Sequence, residues 1–440
     1  MKIFGSDGFR CKFGTQFLSF ESIINFSSAL SEVYLSKEFD KPILISRDTR
    51  FSGKVLEDLI SSVLNYRGIN TVSADVLPTP GLSKILELNN FSLGIMITAS
   101  HNPFTDNGIK LLASDGFKLS VDIETEIENI MLSDSKEKYI VGKKIGSHVE
   151  LNSALKDYIQ NTLTKFPLKD VNSKILIDCS NGAFSQLDKD YLNDKKKNFF
   201  FQSNSPNGYN INLNCGALEP SQLLKDVKKK KLDYGIAFDG DGDRAVFVSN
   251  KYGVIESEKI VCLLFKMQSS RSNKKLIVTT EISNLALKHN LLSMGADLIE
   301  TEVGDRFVID AVKKNNALFG SEPSGHFFFP DLNNSMDGLS AFFYFLELIS
   351  YFGDSFNEEL NKLDQYLRVQ KNFQIDKNKE VDTKKIEKKL NRLIDPQMEK
   401  IVLRKSMWDP VIRVYYDYKD HNNFKKIETK LNKELESSSL

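Results

Sequence analysis

The chain has 440 residues, more than one ordinary domain holds, which predicts roughly three or four domains. Its 59 Lys and Arg residues balance 59 Asp and Glu, so no global charge draws it to nucleic acid or an anionic membrane, and any phosphate-binding surface must be a local cluster. No stretch reaches the roughly 18 uninterrupted apolar residues of a membrane span; Met1–Gly8 lacks a signal peptide's apolar core; and Cys11, Cys179, Cys215 and Cys262 show no CxxC spacing for a zinc site or disulfide framework, so a neutral cytoplasmic enzyme is expected.

Along the chain, short apolar runs alternate with helical patterns. Pro42–Ser46 predicts a strand, followed by the turn RDTRFSG and a helix from about Val55 to Tyr66. Ile69–Val76 predicts a second strand, stopped by Pro78-Thr79-Pro80, and Leu93–Thr98 a third. The alternation restarts at Lys174–Asp178, with Tyr234–Phe238 as its partner strand. It restarts again at Lys275–Thr280, with a helix near Asn284–Met294 and a strand at Asp297–Thr301. Lysine-rich polar stretches at Ser133–Lys144 and Lys377–Lys389 separate the units. A helix near Lys384–Leu393, a strand near Ile412–Asp417 and a helix near Phe424–Leu435 complete a small α+β cap, with Glu436–Leu440 frayed. The expected architecture is α/β: three successive α/β domains with mixed or parallel sheets, then the cap, divided at residues 1–145, 146–250, 251–365 and 366–440.

Four clusters carry chemistry. Thr98-Ala99-Ser100-His101-Asn102-Pro103 sits at the end of a buried strand, where open α/β sheets place their crevices, with Lys110 just behind; Ser100 is a candidate phosphoryl carrier, the alternative being a Ser/Asn turn that caps the next helix. Asp239-Gly240-Asp241-Gly242-Asp243-Arg244 sets three carboxylates between glycines, a repulsive set suited to Mg²⁺ or Ca²⁺. Arg244 and Asn250 stand where an EF-hand needs Gly and Glu, so that loop is excluded, leaving a solvated acidic turn as the alternative. Glu322, Ser324 and His326 share one loop and suit sugar hydroxyls and acid–base work. Arg10, Arg47, Arg50, Arg404 and Arg413 are candidate phosphate ligands or structural ion pairs. No Walker loop or GxGxxG supports a nucleotide cofactor.

In this order the motifs resemble the α-D-phosphohexomutase family over nearly the whole chain. The resemblance implies four domains around one deep cleft, and Ser100 as a phosphoserine that holds one Mg²⁺ per chain with Asp239, Asp241 and Asp243. It implies Arg10, His101, Lys110 and Arg244 around that serine, and Glu322, Ser324 and His326 on the sugar; Lys110 and Arg10 are expected to stabilise the transfer and manage the proton, with His326 or His101 assisting. Arg404, Lys405, Ser406 and Arg413 are expected to grip the distant phosphate. Phe4-Gly5-Ser6-Asp7-Gly8, Asn210-Ile211-Asn212 with Cys215-Gly216, and Val303-Gly304-Asp305-Arg306 resemble the branch that interconverts glucosamine 6-phosphate and glucosamine 1-phosphate through a bisphosphorylated sugar. Mannose- or glucose-phosphate mutase activity is the alternative within the family, and a non-catalytic sugar-phosphate binder the alternative outside it. A monomer or homodimer with no nucleic-acid or membrane partner is expected. The chain departs from the family at Phe9, Cys11 and Pro323, and most in Arg404-Lys405-Ser406-Met407-Trp408-Asp409-Pro410, where Met407 and Trp408 replace a Gly-Thr pair.

Overall fold

The computed structural model describes residues 3–5, 7–133, 145–166, 172–187, 192, 198–376, 381–406, 410–420 and 423–437. Most of the expected Ser133–Lys144 linker, the start of the Lys377–Lys389 stretch, the end of the frayed tail and the Met407, Trp408 and Asp409 departure lie outside the described residues. No described helix is long and apolar enough to cross a membrane.

The architecture is the expected one: three α/β units in succession, then a small antiparallel cap. The first sheet contains β1 (Phe9–Lys12), β2 (Ile43–Arg47), β3 (Thr71–Val76), β4 (Leu93–Ile97), β5 (Asp106–Ala113) and β6 (His148–Glu150), in the order β1-β5-β4-β2-β3-β6. Strands β2 and β4, buried along nearly their whole length, pair in parallel, as continuous apolar runs in a helix-covered sheet do. β5 returns antiparallel to β4, pairing Met96 with Lys110 and Ile97 with Ile109. That return brings Lys110 back beside the loop that leaves β4. The tripeptide Pro78-Thr79-Pro80 ends β3 as expected, but it also opens a helix, Thr79–Leu88, because proline at a first helical turn gives up only an N–H that has no intrahelical acceptor.

The second sheet has β7 (Ile175–Asp178), β8 (Phe199–Gln202), β9 (Tyr234–Phe238), β10 (Ala245–Ser249) and β11 (Gly253–Ile255), ordered β11-β10-β9-β7-β8. The third has β12 (Leu276–Thr280), β13 (Asp297–Thr301), β14 (Phe319–Ser321) and β15 (Phe327–Phe328), ordered β13-β12-β14-β15. The edge strands β6 and β11 begin beyond residues 145 and 250, so these sheets overlap the expected divisions by a few residues. The units are also fused by packing. Helix Gly338–Phe352 lays Phe345 on Phe247 at 4.5 Å and on Tyr234 at 5.7 Å, covering the second sheet from the third segment. The largest buried apolar cluster accordingly includes Leu44, Leu82, Phe238 and Phe342, from all three units.

The cap is a three-stranded antiparallel sheet of β16 (Leu367–Gln374), β17 (Glu399–Lys405) and β18 (Val411–Tyr418), ordered β16-β18-β17. Helices Thr383–Leu390 and Phe424–Ser437 bury Ile386, Leu390, Ile427 and Leu431 against it.

Candidate active site

Three loops at strand ends meet. The Ser100 loop joins β4 to β5, the aspartate loop joins β9 to β10, and the Glu322–His326 loop joins β14 to β15. The last two are tied by backbone: Arg244 and His326 form an antiparallel bridge, and Ala245 N donates to Gly325 O at 2.9 Å. The first two touch so closely that a Cβ on Gly240 would stand 2.5 Å from Ser100 O, which is why the loop needs glycine there.

Ser100 is buried, and its φ of +51° is left-handed, a conformation that costs a non-glycine residue energy. Its Oγ donates to Asp239 Oδ2 at 2.6 Å and lies 3.2 Å from His101 Nδ1. Asp239, Asp241 and Asp243 are buried, with one carboxylate oxygen from each lying within 4.8 Å of the others. Burial, then the charges of Asp243 and Asp241, push the Asp239 carboxyl well above its ordinary value. Asp241 Oδ1 is buried with no hydrogen-bond partner among the described residues, while Asp241 Oδ2 accepts from Thr79 Oγ1 at 2.7 Å and Lys110 Nζ at 2.9 Å. An unpartnered oxygen, mutual repulsion and an all-oxygen donor set fit a hard divalent cation, so these residues can hold a metal.

Lys110 also reaches Asp243 Oδ2 at 3.0 Å and Asp7 Oδ2 at 3.1 Å. Burial works against its charge, but the three carboxylates outweigh it and hold the ammonium well above its ordinary pKa. Asp7 pairs in turn with Arg10 and, at 2.7 Å, with Lys118, which meets Asp305 at 2.5 Å. A row of alternating charge thus runs from the first unit to the third. Asp7 and Asp305 stand in the Phe4–Gly8 and Val303–Arg306 segments and Lys118 in no motif, so the sequence alone does not mark these three as site residues. Thr79, which steadies Asp241, had no signal beyond its proline neighbours.

The two histidines are driven apart. Burial, then Arg244 and Arg10, lower His101 to about 3, which keeps it neutral. Burial also works to lower His326, but Asp243 at 3.0 Å and Glu322 at 2.5 Å push it up to about 10. Glu322 Oε1 also accepts from Gly304 N at 3.1 Å, and Ser324 Oγ lies 3.3 Å from His326 Nδ1.

Above these groups lies a pocket of about 380 Å³ to which all four units contribute. Asp7, Arg10, His101 and Arg244 line one side, Glu322, Pro323, Ser324 and His326 another, and Arg404, Ser406 and Arg413 the cap side. Arg404 and Arg413 face each other across β17 and β18, whereas Lys405 is exposed and is not among the lining residues. Arg47 and Arg50 do not line it either. Arg47 pairs with Glu57 and Asp75, and Arg50 is a buried strut that donates from Nε to Asp48 at 2.9 Å and from its terminal nitrogens to the carbonyls of Ser100, Asn102, Pro103 and Asp106. The structural ion-pair alternative therefore holds for both.

Residues 1–138 match the model of phosphoglucomutase/phosphomannomutase α/β/α domain I, and residues 256–366 match that of domain III. The chain is 33% identical over 437 residues to a phosphoglucosamine mutase of Helicobacter pylori, covering 98% of this chain and 97% of that one. It is 34% identical over 432 residues to a phosphoglucosamine mutase of Campylobacter jejuni, covering 96% and 95%. Among solved structures, a phosphoglucomutase/phosphomannomutase family protein from Burkholderia thailandensis superposes with a TM-score of 0.81 at 20% identity, covering 99% of this chain and 97% of that one. An Aspergillus fumigatus N-acetylphosphoglucosamine mutase, solved with GlcNAc-6P and magnesium, superposes with a TM-score of 0.67 at 14% identity, covering 100% and 96%.

Proposed function

The chain belongs to the α-D-phosphohexomutase family, and we propose that it is a phosphoglucosamine mutase, interconverting glucosamine 6-phosphate and glucosamine 1-phosphate with Ser100 as the phosphoryl carrier. The observation that carries this reading is the placement of Ser100 Oγ, 2.6 Å from Asp239 in the three-aspartate loop, beneath a pocket walled by cationic side chains. A serine that only capped a helix would need none of these neighbours.

Asp239, Asp241 and Asp243, with the serine oxygen, would hold the Mg²⁺ that the family implies, and when bound it neutralises charge on the phosphoserine. The chain's own residues do the rest by position and charge, as phosphoryl transfer demands. A sugar hydroxyl lying over phospho-Ser100 attacks phosphorus; the new O–P bond forms as the bond to Ser100 Oγ breaks, leaving a bisphosphorylated sugar. Arg10 and Arg244 face the transferring group from the pocket wall. The attacking hydroxyl's proton ends on the departing Ser100 Oγ; neutral His101, 3.2 Å from that oxygen, can accept a hydrogen bond from it, and charged Lys110 holds Asp241 and Asp243 in place beside it. Glu322, Ser324 and His326 meet the sugar's hydroxyls. The bisphosphate then turns end for end and returns its other phosphoryl group to Ser100. Because either phosphate must be accepted at the far end, Arg404, Ser406 and Arg413 bind charge without reading the sugar.

The test is a coupled assay on glucosamine 6-phosphate with a trace of the bisphosphate and Mg²⁺, run beside glucose and mannose phosphates, together with intact-mass analysis of the purified chain. The expected result is preference for the glucosamine phosphates, a one-phosphate adduct mapped to Ser100, and no turnover by Ser100→Ala. Full turnover by that variant overturns the carrier role; preference for glucose or mannose phosphates overturns the substrate assignment.

A further inference from the structure

The reaction asks Ser100 to keep one orientation while its oxygen gains and loses a phosphoryl group, yet its backbone sits in a region that serine adopts only when its surroundings over-determine it, with φ +51°. Three contacts do so. Ser100 N donates to Thr98 Oγ1 at 2.8 Å, and its carbonyl accepts from Arg50 at 3.0 Å and from Asn212 Nδ2 at 2.9 Å. The same two side chains also share a second carbonyl of the loop, Asn102 O, Arg50 at 2.8 Å and Asn212 at 3.1 Å.

Arg50 belongs to the first unit, just ahead of helix Phe51–Tyr66, but Asn212 comes from the second, in the segment between β8 and helix Pro220–Lys229. Asn212 is itself set for this reach. Its φ is +58°, which asparagine tolerates better than most residues, and its N–H donates to Ser180 O at 2.9 Å. Gly240 of the aspartate loop passes over the same spot: a Cβ there would stand 2.5 Å from Ser100 O and 3.0 Å from Asn212 Nδ2. The serine loop, the aspartate loop and the Asn210-Ile211-Asn212 segment therefore converge on one carbonyl oxygen.

We propose that Asn212 is a positioning residue that, together with Arg50, pins the Ser100 carbonyl and so holds Ser100 Oγ against the aspartate loop throughout the transfer cycle. The proposal rests on the phosphoserine reading above. Asn212 does not line the substrate pocket, and its side-chain amide donates to the carbonyls of Ser100 and Asn102 rather than to Ser100 Oγ or the three carboxylates, so its removal should move the reacting oxygen and leave sugar-phosphate binding alone.

Asn212→Gly removes both donated bonds while keeping a residue at ease with positive φ. Asn212→Asp keeps the size but sets an acceptor against two carbonyl oxygens. Both are assayed for kcat and KM on glucosamine 6-phosphate and for the lifetime of the phosphate on Ser100, read by intact mass after substrate is removed; there water's oxygen bonds to phosphorus, the P–Oγ bond breaks, Oγ takes a proton and inorganic phosphate leaves. We expect kcat to fall about ten- to a hundredfold, as sub-ångström to ångström misplacement does, with KM within about twofold and the adduct lost several-fold faster. Unchanged kcat in folded Asn212→Gly overturns the proposal. So does a KM that rises in step with the loss, or failure of both variants to fold by circular dichroism, since either marks a merely structural strut. If the unmutated chain carries no adduct and Ser100→Ala turns over, the phosphoserine reading has failed instead, and the result appears with position 212 intact.

Discussion

Arg50 donates from Nε to Asp48 Oδ2 at 2.9 Å, with both side chains fully buried. Burial pushes the Asp48 carboxyl above its ordinary value against the pull of Arg50, so the pair is held by geometry more than by charge alone. The rest of the guanidinium satisfies carbonyls of the Ser100 loop. Arg50→Lys keeps the charge but loses the planar fork and with it most of the bonds it donates to the carbonyls of Ser100, Asn102, Pro103 and Asp106. We expect a loss of about 3–5 kcal/mol in urea unfolding, the range for breaking a buried pair. A loss under about 1 kcal/mol, the range of exposed pairs, would show that the fork is dispensable.

Asp241 is the aspartate whose second oxygen has no partner among the described residues. Asp241→Asn should therefore weaken Mg²⁺ and Mn²⁺ binding by more than about a hundredfold. Thr79→Val removes only the hydroxyl that orients Asp241 and should cost about ten- to a hundredfold, the usual scale for a supporting contact. Isothermal titration with each ion checks the order of the two effects. Equal affinities in all three chains would dismiss the triad as a metal site.

How far the sequence reaches can be judged residue by residue. Strand Asp297–Thr301 and strand Tyr234–Phe238 lie where their apolar runs place them, and Ser100 and the three aspartates announce themselves as unusual residue sets at strand ends. The exposed edge strand Leu367–Gln374 carries charged residues along its length and so lacks a clean alternation. Arg50 looks the same in sequence whether it binds phosphate or braces a loop; only its burial decides. Asn212 and Lys118 act across units, and a contact between positions 112 residues apart, such as Asn212 with Ser100, leaves no local pattern. The charged row through Asp7, Lys118 and Asp305 is illegible for the same reason.

None of the four cysteines is disulfide-bonded, and they differ in reach. Cys11 is partly exposed, whereas Cys215 is buried and its thiol is pushed up to about 11, by burial first and then by Asp178. Because the thiolate reacts and a raised pKa lowers its share, only about one Cys215 thiol in a thousand is ionised at pH 8. Iodoacetamide at that pH should label Cys11 first, and labelling of Cys215 in the folded chain should rise about tenfold per pH unit as long as the fold persists. Peptide mapping checks both. Prompt labelling of Cys215 at pH 7 would contradict its buried, acid-flanked setting.

Asp417 joins the cap to the third unit. From β18 its carboxylate accepts from Leu285 N, at the start of helix Leu285–Ser293, at 2.9 Å, and from Arg368 at 2.6 and 2.9 Å. Burial opposes the Arg368 charge, and Asp417 outweighs it. Two ion pairs across this junction, Lys384 with Glu281 and Lys400 with Glu300, involve more exposed partners and are worth about 0–1 kcal/mol each. Asp417→Ala removes the acceptor of Leu285 N, although Asn284 still caps the helix at Ala286 N, and strands a largely buried guanidinium, so the cap loses a tie to the third unit. Since Arg404 and Arg413 reach the pocket from that cap, we expect KM for the sugar phosphate to rise about tenfold, with faster proteolytic cleavage between residues 363 and 367. Lys384→Ala should change neither. An unaltered KM and cleavage rate in Asp417→Ala would mean that the cap is held mainly by its apolar contacts, and that its arginines keep their aim without this carboxylate.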